Sequence, residues 1–498
     1  WGGMRGSSVV LLLAALVAVV FGGYCRDGPL LDVTDTGMIY TISSSSYNQI
    51  ISEGIPILEE QIKTFPISDL TGNVNLLVAK VDYAITSLEV SELTIGAFTI
   101  SPLVSEDMLQ VTLTDASLTV KFDWSVTETD EWPYLSDSGT GTASMTGVQM
   151  SAMGATTLHP ECGSLTLDLI GFEADFGSIK VHLDGGGSAL LNMIINSLIS
   201  FLQDLFAQSF SDMLGDSLQA ALNTLMGDNQ LVLHIANGLS IDDRYTAGVH
   251  LNDGYLSICT SAYVYPEDED NTWRPYAPET QLPDVVTNDD LQVIVDKSAF
   301  QSDMAAMQEE GLWDFYYEAD ETTDPFTQSL LNTSALASVC PGLYAAYPDE
   351  PVQLMYNSTQ WPDFSIMPSA AFTNHTGILS VMVGEDTPLA FDMSLGMAAM
   401  LDLTVEQNWS DTDVFGFQFS FYNMTSDVLH SDVGECTLAS PFWFQWAAIM
   451  SSQVMAPAMS QASATNALKI EVPTNFFTYS AATIAYLGTF ILVAYNML

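Results

Sequence analysis

Positive charge is what this sequence has least of. Among 498 residues there are 10 Lys or Arg against 61 Asp or Glu, a formal charge of -51. Nucleic acids and anionic membranes are gripped through clustered Lys and Arg, so no nucleic-acid partner is expected. Ten cations cannot pair most of the carboxylates, which must be solvated or screened by salt or divalent ions. This imbalance bears on partners and medium rather than on fold.

Cysteine is scarce as well. Cys25, Cys162, Cys259, Cys340 and Cys436 are too few and too scattered for a disulfide-dense scaffold. None stands in CxxC spacing, which argues against a zinc site. One or two bridges fit an oxidising compartment, with Cys162, Cys259, Cys340 and Cys436 as candidates, and the spacing does not fix their pairing.

Catalytic patterns are missing too. The six histidines, His159, His182, His234, His250, His375 and His430, include no HExxH pair. Gly186-Gly187-Ser188-Ala189-Leu190 lacks the second glycine of a nucleophile elbow. There is no GxGxxG and no phosphate loop. Glu267-Asp268-Glu269-Asp270 lacks the alternating ligands of a calcium loop and reads as a solvated linker. The expectation is no enzyme, no catalytic residue, no metal and no cofactor beyond a bound lipid.

What the chain does have is apolar substance: 48% hydrophobic residues, 10% aromatic and a mean hydropathy of +0.23. Its length suits two or more domains. Met4 and Arg5 precede an apolar run from Val9 to Phe21, and Gly22-Gly23 offer a cleavage point. That run is shorter than a membrane span needs. Residues 1–24 therefore read as a signal peptide, with a signal anchor as the alternative. Asn332, Asn357, Asn374, Asn408 and Asn423 each open an N-glycosylation acceptor pattern, all in the C-terminal half. A secreted, extracellular glycoprotein is expected.

Periodicity gives the order of elements. Ser46 and Gln49 stand in capping-box spacing ahead of Tyr47, Ile50, Ile51, Ile55, Leu58 and Ile62, which recur at helical intervals until Phe65-Pro66. From about Gly72 the period becomes two: Leu118, Val120, Phe122 and Trp124 alternate with Thr119, Lys121 and Asp123. Leu165, Leu167 and Leu169, and then Ile179, Val181 and Leu183, repeat the pattern of half-buried antiparallel strands. After Gly185–Gly187 a long helical stretch carries Leu191, Ile194, Ile195, Leu198, Leu202, Leu205, Phe206 and Phe210 on one face, ending at Gly227. Tyr265–Pro283 is rich in Pro and acid and reads as an exposed connector.

The order then repeats. Helical pieces lie within Lys297–Glu310 and Gln328–Val339, followed by strands at Leu401–Val405 and Phe415–Phe421, and by a helix opened by Ser440-Pro441. The final stretch, Tyr479–Leu498, is punctuated by Ser480, Thr483, Tyr486, Thr489 and Tyr495 and reads as a closing β-hairpin, with a C-terminal anchor as the alternative.

This layout resembles the family of bactericidal/permeability-increasing protein, with lipopolysaccharide-binding protein, cholesteryl ester transfer protein and phospholipid transfer protein. Trp273-Arg-Pro-Tyr-Ala-Pro278 is similar to the family's interdomain linker, and Leu291–Phe300 to the start of its second domain. Pro341–Tyr356 is similar to the helix and strand that follow. The resemblance implies an α+β, mainly antiparallel β fold: two highly twisted barrels, each wrapped on a long helix, joined by a central sheet in an elongated boomerang. It divides the chain into an N-terminal lipid-binding barrel at 37–240, a central sheet and proline-rich linker at 241–285, and a C-terminal barrel at 286–498.

The resemblance also implies acyl-chain pockets under the helices. The matching positions are Tyr47, Ile50, Ile51, Ile55 and Leu58 on the first helix and Leu191, Ile194, Ile195, Leu198, Ile199 and Leu202 on the second. The family's disulfide joins a strand cysteine to the long helix. Cys162 stands at the strand position, but Leu190–Met226 holds no cysteine. The basic tip of the lipopolysaccharide binders is missing, with only Lys63, Lys80, Lys121 and Lys180 in that domain. The expected function is lipid binding or transfer, favouring neutral or zwitterionic lipids, with transient membrane or lipid-particle contact. The alternative is an acidic glycosylated structural or coat protein on the same fold.

Overall fold

The computed structural model describes residues 36–496 except for several stretches, the longest being 49–54, 130–135, 186–198, 207–218, 220–231, 407–412 and 471–481. Every strand pair among the described residues is antiparallel.

The chain enters through β1 (Met38–Ser43) and then builds a six-stranded N-terminal sheet. Its members are β2 (Leu70–Asn75), β3 (Lys80–Thr94), β4 (Ala97–Leu103), β5 (Met108–Glu128), β6 (Ser136–His159) and β7 (Ser164–Asp184), in the order β2-β3-β5-β6-β7 with β4 beside β5. The period-two rows behave as the sequence demands. Leu118, Val120, Phe122 and Trp124 are buried while Lys121 and Asp123 face water.

A line of irregularities crosses this sheet. Gly96 interrupts β3 and β4 opposite Asp115, which itself takes φ +55, and Gly147 on β6 takes φ +66. A Cβ on Gly96 would lie 2.8 Å from the Asp115 Cβ, too close for any side chain. The register slips between Leu113 and Ala116, and the buried phase of β6 slips at Gly147, as bulges require. Bulges on neighbouring strands raise the local twist together, and the sheet curls into a half-barrel.

Three short strands, β8 (Val232–His234), β9 (Leu239–Asp242) and β12 (Tyr263–Pro266), form a sheet in the order β12-β9-β8. Between β9 and β12 run β10 (His250–Asn252) and β11 (Tyr255–Thr260). These join β1, β13 (Leu291–Asp296), β21 (Thr483–Tyr486) and β22 (Phe490–Tyr495) in a six-stranded central sheet ordered β10-β11-β1-β13-β22-β21. Stretches from both halves thus share one ladder, with β1 held between β11 and β13. The closing hairpin read from the last residues is β21–β22. Among the described residues no helix is long and apolar enough to cross a membrane, which says nothing of strands.

The second half starts with α1 (Lys297–Glu309), capped by Asp296, whose side chain accepts from the Ser298 N–H. After β14 (Phe315–Glu318) come α2 (Pro325–Leu330), α3 (Thr333–Leu336) and α4 (Pro341–Ala346). A C-terminal sheet follows: β15 (Val352–Ser358), β16 (Asp363–Met367), β17 (Ala370–Val383), β18 (Leu389–Glu406), β19 (Asp413–Ser431) and β20 (Lys469–Ile470), completed by β14 at its edge. Against β19 lies the helical run α5 (Pro441–Met450), a π turn (Ser451–Met455) and α6 (Ala456–Asn466). Ser440 caps α5 by accepting from the Trp443 N–H, and Pro441 occupies its first turn. The π turn comes just before Pro457, whose ring and missing N–H do not fit an uninterrupted α ladder.

Two local readings need correction. The first helical stretch is capped by Ser43, which accepts from the Ser46 N–H at 3.3 Å; Ser46 is not the cap. Ser43 to Ser46 offer four equivalent hydroxyls, and β1 pairs through Ser43 itself, so the helix begins directly after the strand. The connector is also less exposed than its composition implies. Tyr265 and Leu282 are buried, and Trp273 and Tyr276 are half-buried against Trp361.

One disulfide joins Cys340 to Cys436 across 96 residues. Cys259 is a buried free thiol on β11, and burial pushes it up to about 12. Cys25 and Cys162 lie outside the described residues.

Candidate functional site

The N-terminal sheet presents a dry inner face to two helical segments. Its floor is the row Leu118, Val120, Phe122, Trp124 and Val126 on β5, each at most 3% exposed. Trp124 can be buried because its indole N–H donates to the Thr140 carbonyl at 3.0 Å.

Of the long second helix, Ile199, residues 201–206 and Gln219 are described, and all are helical. Leu202 and Phe206 are fully buried. The Phe206 ring lies 5.3 Å from that of Phe122, and the Phe201 ring meets Tyr83 edge-on at 5.2 Å. Gln203 Nε2 donates to the Ile179 carbonyl at 2.8 Å and pins the helix to β7. This turn of helix therefore roofs the sheet, as its apolar spacing requires.

The first helical stretch docks on the same sheet by another device. Ile95 lies in the gap between β3 and β4, where the ladder leaves its N–H free, and Glu59 Oε1 accepts it at 2.7 Å. Asn48 Oδ1 accepts from the Ile100 N–H at 3.4 Å. Ile55 is half-buried against the core. Among the predicted lipid-facing residues, Ile55, Ile199 and Leu202 are described and all three face the apolar interior. Tyr47, Ile50, Ile51, Leu58, Leu191, Ile194, Ile195 and Leu198 lie outside the described residues.

The edge strand β7 differs from the floor. Its inward row, Leu169, Phe172, Ala174, Phe176, Ile179, Val181 and Leu183, packs on the core but stays only half-buried. Phe172 and Phe176 were not among the predicted site residues, although Phe172-Glu173-Ala174-Asp175-Phe176 alternates plainly. A row of half-buried apolar side chains beside a helical roof can take up hydrocarbon. Burial gains about 0.8 kcal/mol per methylene and needs no placed polar group.

The C-terminal interior is filled by rings instead. Phe300 on α1 meets Phe364 at 5.6 Å and Phe417 at 5.4 Å. Trp313 meets His375 at 5.0 Å and Phe419 at 5.8 Å. His375 is fully buried with no hydrogen bond to either ring nitrogen, and desolvation lowers it to about 3.

The predicted glycosylation sites fall mainly on the outer face of the C-terminal sheet. Asn374 and Asn423 are exposed there, both aligned with Ala398 of the strand between them. Asn357 is half-exposed on β15. Asn332 caps α3, and its neighbour Thr333 is fully buried. Asn408 lies outside the described residues.

The LBP / BPI / CETP family N-terminal domain matches residues 49–225, and the family's C-terminal domain matches residues 235–440. The chain belongs to this family. The BPI fold-containing family C protein of Homo sapiens is 21% identical over 340 residues, 67% of this chain and 64% of its own length. The chain thus spans a little under two thirds of that curated relative. A crystal structure of lipopolysaccharide binding protein matches with a TM-score of 0.52 and 16% identity, covering 93% of this chain and 99% of that one. That likeness carries the fold alone. P47 of Clostridium botulinum E1 covers 93% of this chain at 10% identity and a TM-score of 0.25, and nothing rests on it.

Proposed function

We propose that this family member binds a lipid, holding its acyl chains between the N-terminal sheet and the helices that cross it. The observation that carries the reading is the β7 row: seven inward apolar residues left half-buried beside the Phe201–Phe206 roof. In a sheet with no ligand to cover, such a row would be expected to come closer to the burial of the β5 row, two strands away.

The eleven residues predicted from Tyr47 to Leu202 complete the lining in this reading. The lipid is neutral or zwitterionic, because the formal charge of -51 opposes an anionic headgroup. Loading is a partition between a membrane or lipid particle and the protein, with no bond made or broken. The chain acts outside the cell, as a glycoprotein that follows a signal peptide, with twisted barrels in both halves of a boomerang.

Extraction of the purified protein with organic solvent, followed by mass spectrometry, tests this reading. The expected result is co-purified lipid in amounts comparable to the protein, dominated by neutral or choline-containing species. Protein that carries no lipid and takes up no fluorescent acyl probe would overturn it.

A further inference from the structure

Trp361, packed against Trp273 and Tyr276, opens onto a cleft far along the chain from the lipid-facing residues. Gln308, Glu309, Thr359, Gln360 and Trp361 line it, and its volume is about 540 Å³. Trp361 is 42% exposed there, a large indole surface left to water. Its N–H donates to Glu309 Oε1 at 2.6 Å, which fixes the ring plane and sets a carboxylate at its edge. Trp273 of the connector stands edge-on to it at 5.9 Å and 74°, and Tyr276 lies 6.2 Å away. Tyr276 is itself held by its backbone N–H, which donates to the Tyr263 hydroxyl at 3.2 Å.

Among the described residues, the charges that act on the adjacent Glu310 are of one sign. Burial raises the Glu310 carboxyl, and so do Asp268, Glu267 and Glu309. Such a field repels anions. A purely apolar ligand would gain nothing from the carboxylates. A calcium ion would need six to eight converging oxygens, and among the described residues no group of three or more His, Cys, Asp or Glu converges. A weakly hydrated organic cation fits both features at once: the exposed ring face attracts it, and the Glu309 carboxylate at the ring edge adds to that attraction.

We propose that the cleft lined by Trp361 and Glu309, with Trp273 and Tyr276 packed against the Trp361 ring, binds a quaternary ammonium group. The group has two possible sources, the choline headgroup of a lipid or a small free methylated amine. The site stands apart from the acyl-chain reading and does not depend on it.

Titration of the full-length protein with tetramethylammonium chloride, followed by calorimetry, is the test. Saturable binding is expected, weakened about tenfold by Trp361→Ala, less by Trp361→Phe, and measurably by Glu309→Gln. Ammonium chloride should bind more weakly than tetramethylammonium. Because Trp361 is already partly exposed, its variants should keep the thermal midpoint of the parent, and Phe444→Ala, at another exposed aromatic, should change nothing. Phosphocholine binding in solution would assign the free-molecule source. Binding only to phosphatidylcholine vesicles, and not to phosphatidylethanolamine vesicles, would assign the membrane source. No saturable binding of tetramethylammonium, or equal binding by Trp361→Ala, would overturn the proposal even if lipid were found in the N-terminal site.

Discussion

Arg244 holds Asp242 through two parallel hydrogen bonds of 2.6 Å, from Nε to Oδ1 and from Nη2 to Oδ2, with both side chains buried. In a chain with so few cations, Arg244 is the one Lys or Arg buried among the described residues. It follows β9, and the next residue, Tyr245, donates its N–H to the Gly163 carbonyl at 2.8 Å, just ahead of β7. The pair therefore sits where the small sheet, the N-terminal sheet and the central sheet meet. Burial and the neighbouring Asp243 raise the Tyr245 hydroxyl, so that tyrosine stays neutral there.

Removing one partner leaves an uncompensated charge in the interior. Arg244→Met should cost about 3–5 kcal/mol, seen as a lower denaturant midpoint in urea. Arg244→Met combined with Asp242→Leu should recover much of that loss. A single variant as stable as the parent would contradict the role given to the pair.

Asp303 on α1 gives a dependence on pH between about 4 and 8. It is buried, its Oδ1 has no hydrogen-bond partner, and desolvation raises it from 3.8 to about 8. The folded state then binds a proton that the unfolded chain releases. Stability is full below about pH 3.8 and is lost as pH rises through about 8, reaching a cost of about 4 kcal/mol at pH 7. Asp303→Asn should raise the thermal midpoint at pH 7–9 and change it little at pH 4.

His375 works in the opposite direction. Its folded value of about 3 lies below the ordinary 6.5, so its contribution is full above pH 6.5 and is lost as pH falls toward 3. At pH 4 the loss is about 3 kcal/mol. His375→Phe should soften acid unfolding, which tryptophan fluorescence would follow through Trp313, 5.0 Å away.

The Cys340–Cys436 bridge closes a long loop and tethers α4 to the segment after β19. Cys436→Ser should lower stability by about 4–5 kcal/mol on the chain-entropy scale. Cys259 should resist maleimide in the native protein and react only on unfolding, because its thiol is buried and held far from thiolate. Native labelling at Cys259, detected by peptide mass mapping, would contradict this.

The sequence makes the strands and their faces plain, since Leu118 to Trp124 alternate without interruption and only one face is dry. It also reveals the roof: Leu202 and Phe206 stand at helical spacing, and both are buried. It conceals whatever depends on distant pairing. Nothing near Met38–Ser43 announces that β1 will lie between β11 and β13, because the partners are more than 200 residues away. The Cys340–Cys436 pair has no spacing to betray it. The bulge at Asp115 is hidden because an aspartate with φ +55 looks like any strand residue. The half-buried character of the β7 row is equally hidden, since Phe172 and Phe176 alternate just as a fully buried row would.

Uptake of a fluorescent phosphatidylcholine from vesicles tests the central claim most directly, using the parent and a Phe172→Glu, Phe176→Glu double variant. Both residues are half-buried, so the variant should fold, with Phe444→Glu as a matched surface control. The account predicts saturable uptake by the parent and the control, and at least a tenfold loss in the double variant, since each buried charge opposes hydrocarbon by several kcal/mol. Equal uptake by a folded double variant would contradict it.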